Sequence, residues 1–116
     1  FNCELSLSNE DYGDLIKKTK HIQSEKMTIQ ATDGFISFMC KNSELSCEIK
    51  YEHIESYISC RDIITGEFPY NHLASCNVFS KLCSSVRLYI KNDYPLIMHY
   101  NVASLGDIKI CIAPSS

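Results

Sequence analysis

The sequence predicts an α+β domain: two βαβββ units, with two helices packed on one face of a largely antiparallel sheet. Three observations carry that prediction. Apolar and polar residues alternate in many short segments, the period of half-buried strands. Two other stretches, one after Ser8 and one after Pro69, place apolar residues at helical spacing. The order of these elements then repeats with an offset of 58 or 59 residues, as Leu15 against Leu73 and Met27 against Val86 show.

Residues 3–7 alternate, with Cys3, Leu5 and Leu7 on one face of a strand. Ser8 and Asn9 offer helix caps, and the acids Glu10 and Asp11 follow in the first turn. From residue 11 to residue 21, with Ile22 just beyond, Tyr12, Leu15 and Ile16 keep the helical period. Residues 26–30 and 35–40 read as strands joined through Asp33-Gly34, a hairpin signal because such a turn needs left-handed backbone. Residues 46–51 alternate again, with Cys47, Ile49 and Tyr51 on one side. The second half opens with a strand over 63–68. Pro69 suits the first turn of a helix, whose apolar face is Leu73, Cys76 and Phe79 or Ser80. Residues 85–91 set Val86, Leu88 and Ile90 on one side of a strand, and Asn92-Asp93 turns the chain into residues 95–100. Ile108, Ile110 and Ile112 alternate in a last strand before Ala113-Pro114. The repeat divides the chain into units of about 1–57 and 58–116, joined within 56–65.

The 116 residues suit one domain with a single core. A 45% hydrophobic, 22% charged composition excludes disordered and low-complexity classes. No apolar run reaches the roughly 18 residues of a membrane helix, so no membrane partner is expected. Residues 1–10 have neither the basic start nor the apolar core of a signal peptide. The net charge of −3 argues against a protein that coats itself in nucleic acid, but allows a local basic patch. Seven cysteines cannot all pair internally, none stands in a CxxC, and the His72, Cys76, Cys83 spacing fits no zinc module. They read as small, buried, reduced apolar residues, and no metal or cofactor is expected. His21, His53, His72 and His99 are scattered, and the chain has no HExxH, GxSxG or phosphate-cradling glycine loop. No catalytic residue is assigned.

The closing quarter carries a resemblance. Residues 88–100, LYIKNDYPLIMHY, and 101–114, NVASLGDIKICIAP, resemble the last strands and the aliphatic-Ala-Pro ending of the eukaryotic-type DNA sliding clamps, the proliferating cell nuclear antigen family. The strand at Cys3, the helix after Asp11 and the Ala31-Thr32-Asp33-Gly34 turn occur in the family's order, so the resemblance to the C-terminal domain spans the chain. It implies a non-catalytic processivity factor for replication and repair. Such a clamp is a homotrimeric ring of two-domain subunits around double-stranded DNA, gripped without sequence preference. It docks DNA polymerase and other enzymes through short peptide motifs. The implied location is the nucleus, or the replication compartment of a large DNA virus, both reducing. A diverged checkpoint-type clamp subunit in damage signalling is the alternative.

The resemblance also assigns surfaces. Lys17, Lys20 and His21, which share one helix face, and Lys81 on the second helix become DNA-facing. Pro95, Cys111, Ile112, Ala113 and Pro114 become this domain's share of the peptide-docking pocket. Ser46, Cys47, Glu48, Ile49, Lys50 and Tyr51 become the edge strand at the subunit interface. Three departures stand out. The chain amounts to about half a family subunit, so the complementary edge is missing. Asn71 and Val78 replace basic residues, and Cys111 stands where many members have an aromatic ring.

Overall fold

A computed structural model describes residues 3–32, 34–52 and 63–115. The elements are β1 (Cys3–Ser8), α1 (Asn9–Thr19), β2 (Lys26–Thr32), β3 (Phe35–Lys41), β4 (Ser46–Glu52), β5 (Ile64–Pro69), α2 (Tyr70–Ser75), β6 (Ser85–Ile90), β7 (Leu96–Val102) and β8 (Gly106–Ile112). A strand, a helix and three strands thus occur twice in order. The join expected within 56–65 lies largely outside the described residues, as do Asp33, His53 and Cys60.

Every strand pairing is antiparallel, and the expected single sheet is divided into two four-stranded sheets. Their orders are β1-β6-β7-β8 and β4-β3-β2-β5. The first strand of each half has crossed to the other half's sheet: β1 pairs with β6, and β5 pairs with β2. Hairpin signals are local, whereas this exchange joins residues as distant as Cys3 and Ile90, or Met27 and Phe68, which no local pattern encodes. The alternation reads out as expected. Cys3, Leu5 and Leu7, Met27, Ile29 and Ala31, Val86, Leu88 and Ile90 all point into one shared core. Gly34 has φ 115° and Asp93 has φ 65°, the left-handed backbone that the two hairpin turns require.

The helices end earlier than their apolar spacing predicts. Ser8 caps α1, its hydroxyl accepting from the Asp11 N–H at 3.0 Å. The helix stops at Thr19, and Lys20 and His21 occupy a 3-10 turn closed by Gln23 at φ 53°. Six-residue α2 runs on as a 3-10 helix over Cys76–Lys81. There the hydroxyls of Ser75 and Ser80 donate back to the carbonyls of Asn71 and Asn77, a competition that weakens the α-helical ladder. Pro69 is the last residue of β5, not the first of a helix, and the Tyr70 N–H beyond it donates to the Glu25 carbonyl at 3.0 Å.

The two helical segments pack antiparallel. Asn9 Nδ2 donates to the Cys83 carbonyl (2.7 Å), Tyr12 Oη to that of Leu73 (2.5 Å), and Tyr70 Oη to that of Ile16 (3.2 Å). Thr19 Oγ1 and Tyr70 Oη lie 2.9 Å apart at the far end. These bonds give the buried Asn9, Tyr12 and Tyr70 side chains hydrogen-bond partners across the helix pair. Burial holds the Tyr12 and Tyr100 hydroxyls well above the usual phenol range, with Cys76 adding to both.

Candidate functional site

The helix pair presents the first surface. α1 buries Asn9, Tyr12, Leu15, Ile16 and Thr19 and exposes Glu10, Asp14, Lys17 and Lys18. Acids lead and lysines close the helix, the arrangement its dipole favours. Lys20 and His21 extend the basic end, and both are exposed. Because the helices are antiparallel, that end lies beside Tyr70. Lys81 is also exposed, but it lies at the opposite end, where Asn9 meets Cys83 and α1 begins with Glu10 and Asp11. The structure therefore brings Lys17, Lys20 and His21 together and leaves Lys81 apart. Exposed cations on long stems contact phosphates as charges and read no bases.

The closing strand makes the second surface. Leu96 faces Ile112 across β7 and β8, so Pro95 and Ala113 come next in register. Pro95, Cys111, Ala113 and Pro114 are exposed. Ile112 differs from the other four: it is 4% exposed, and its side chain supports this surface from the core. Beyond the proline, the Ser115 N–H donates to the Glu67 carbonyl at 2.7 Å. This strap ties the end of one sheet to β5 of the other. Thr65 N–H donates to Asn92 Oδ1 (3.0 Å) and adds a second tie.

The third surface is β4, which ends its sheet, as the resemblance implied for an edge strand. Ser46, Glu48 and Lys50 are exposed, while Cys47, Ile49 and Tyr51 are half-buried. Tyr51 anchors the strand, stacking edge-on to Phe38 with 6.1 Å between ring centroids and donating to the Asp11 carbonyl at 3.2 Å. Burial raises its hydroxyl, and the charges of Asp11 and Asp14 raise it further. Lys50 Nζ lies 4.5 Å over the Phe35 ring.

Two grooves escape sequence reasoning, because each joins residues far apart in the chain. One of about 620 Å³ opens beside β4 and is lined by Gln23, Lys26, Met39, Lys41 and Cys47 among others. The second, about 460 Å³, runs between the second helical segment and β8, from His72 and Val78 to Ile110 and Cys111. Among the described residues no three His, Cys, Asp or Glu side chains converge to hold a metal ion, and the six described cysteines are free thiols.

A crystal structure of proliferating cellular nuclear antigen from Entamoeba histolytica superposes on 99% of the chain with a TM-score of 0.88, at 17% sequence identity. This is the sliding-clamp fold. The chain spans 46% of that solved clamp. Sequence similarity points the same way over shorter stretches. A probable DNA polymerase sliding clamp of Acanthamoeba polyphaga mimivirus is 33% identical over 52 residues, which are 45% of this chain and 11% of the viral protein. A probable DNA polymerase sliding clamp 1 of Paramecium bursaria Chlorella virus 1 is 42% identical over 49 residues, 42% of this chain and 19% of the viral protein. No protein-family model matches the chain. The resemblance stated from residues 88–114 and the α+β clamp architecture are thus both found in the structure.

Proposed function

We propose that this chain is the C-terminal domain of a DNA sliding clamp, a non-catalytic processivity factor that works as part of a trimeric ring around duplex DNA. The observation that carries the reading is the whole-chain agreement with a solved clamp, reinforced by two viral polymerase-clamp relatives. Those relatives favour a replication clamp over a checkpoint-type subunit. A clamp of that kind would work in the nucleus or in a viral replication compartment. In this reading Lys17, Lys20 and His21 touch phosphates, β4 joins the neighbouring subunit, and peptides dock across Pro95, Cys111, Ala113 and Pro114. The absence of an aromatic side chain at Cys111 leaves the pocket wider and its motif preference looser.

The docking surface gives the direct test. A fluorescent peptide with an aromatic-aliphatic clamp-binding motif is titrated by anisotropy against the chain and two variants. Ala113→Arg places a long charged side chain where an apolar anchor would settle, so affinity falls about tenfold or more. Pro95→Ala weakens binding less. Equal affinity for all three proteins removes these residues from the site.

A further inference from the structure

We propose that Cys40 and Cys47 form a reversible oxidation site: hydrogen peroxide entering the groove beside β4 oxidises Cys47, and Cys40 then closes a disulfide across the β3–β4 hairpin. Register, backbone direction, unequal burial and access all favour this pair.

Cys40 stands directly opposite Cys47, with Met39 against Glu48 and Lys41 against Ser46 on either side. The Asn42 N–H donates to the Leu45 carbonyl at 2.9 Å and closes the hairpin. The Lys41 N–H turns the other way, towards β2, and donates to Ser24 Oγ at 3.4 Å. Antiparallel ladders alternate, so Cys40 and Cys47 bond to each other through their backbones. Such a pair holds its Cα atoms about 5.5 Å apart, well inside the span of a disulfide, and sends both side chains to the same face. Its Cβ atoms must draw about 1 Å closer for the bond to form. A disulfide made under that strain is readily reduced again. Cys3 and Cys111, which also lie on strands, stand opposite the aliphatic Ile90 and Ile97 instead.

Burial sets the order of events. Cys40 is 2% exposed and Cys47 is half-buried, and both line the groove of about 620 Å³. Loss of water keeps the Cys40 thiol protonated and makes it the poorer first nucleophile. Cys47 therefore reacts first. Its thiolate sulfur attacks one peroxide oxygen: the S–O bond forms, the O–O bond breaks, and the departing hydroxide takes the thiol's proton and leaves as water. The sulfur is oxidised by two electrons and the peroxide is reduced by two. Cys40 Sγ then attacks Cys47 Sγ. The S–S bond forms, the S–O bond breaks, and the second hydroxide leaves as water with the Cys40 proton. Two thiols and one hydrogen peroxide give one disulfide and two waters. A small thiol reverses the bond by exchange.

Trypsin reads the bond directly. Cleavage after Lys26, Lys41 and Lys50 places Cys40 in peptide 27–41 and Cys47 in peptide 42–50, with no other cysteine in either. The folded wild-type chain is treated with equimolar hydrogen peroxide, its remaining thiols are blocked with N-ethylmaleimide, and the digest is analysed by mass spectrometry. The linked pair of these peptides exceeds every other cysteine pairing about tenfold or more, and dithiothreitol added before digestion returns both as free peptides. Cys40→Ala stops the reaction at a Cys47 sulfenic acid, which dimedone traps. Cys47→Ala leaves Cys40 reduced. Circular dichroism confirms that both variants fold, and the wild-type digest needs neither. The inference fails if the folded wild-type chain yields no such link, if Cys40 links chiefly to another cysteine, or if Cys40 is oxidised as fast in Cys47→Ala. None of these outcomes touches the clamp reading, which the peptide titration tests on another surface.

Discussion

Cys40 shows how burial alone ties a residue's chemistry to the fold. It faces the core from β3, directly across from Cys47. Loss of water pushes its thiol from an ordinary 9.0 up to about 11, and the neighbouring Cys47 adds to the shift. The unfolded chain therefore gives up this proton before the folded one does. The stabilisation is complete below about pH 9 and drains away as pH rises towards about 11. Tyr12, Tyr70 and Tyr100 are raised as well, which adds the same sign higher on the pH scale. Urea midpoints measured across that alkaline range should fall, and Cys40→Ala should flatten the early part of the fall. A midpoint independent of pH would contradict the burial of these groups.

At the scale of elements, the pairing of α1 with the second helical segment matters more than the count of lysines. The resemblance places Lys17, Lys20, His21 and Lys81 in one DNA-facing category, helix by helix. Antiparallel packing separates them, putting three at the Tyr70 end and Lys81 beside the acidic start of α1. Phosphate attraction at Lys81 is therefore opposed by Glu10 and Asp11. Weak binding of a short duplex at low salt should fall by about a log unit more for Lys17→Glu with Lys20→Glu than for Lys81→Glu. Raising the salt should erase that difference. Equal losses would mean that the two ends act as one patch.

Across the whole molecule, the exchange of first strands decides how the fold holds together. β1 belongs to the sheet of the second half and β5 to that of the first, so neither half buries its own apolar faces. Denaturant unfolding followed by tyrosine near-ultraviolet and backbone far-ultraviolet dichroism should give one coincident transition. Chains cut to either half should show no cooperative transition. A stable half on its own would show that the exchanged strand is dispensable.

Much of this protein was legible in its residues. Alternation located β1, β4, β6 and β8 and the side each turns inward, and turn signals helped place the other described strands, because both are local properties of the chain. The closing Ala113-Pro114 pattern pointed to the clamp fold by resemblance, and the Ser115 N–H to Glu67 carbonyl bond that ties this end to β5 was not legible in it. The helix ends were less legible, since the hydroxyls of Ser75 and Ser80 compete with the ladder without disturbing the apolar spacing. Ile112 carries the same aliphatic signal as its exposed neighbours, and only packing turned it inward. By itself the sequence determined the elements, their order and their apolar faces. Tertiary structure alone decided the division into two sheets and the separation of Lys81, because each depends on contacts between residues too far apart for any local period to record.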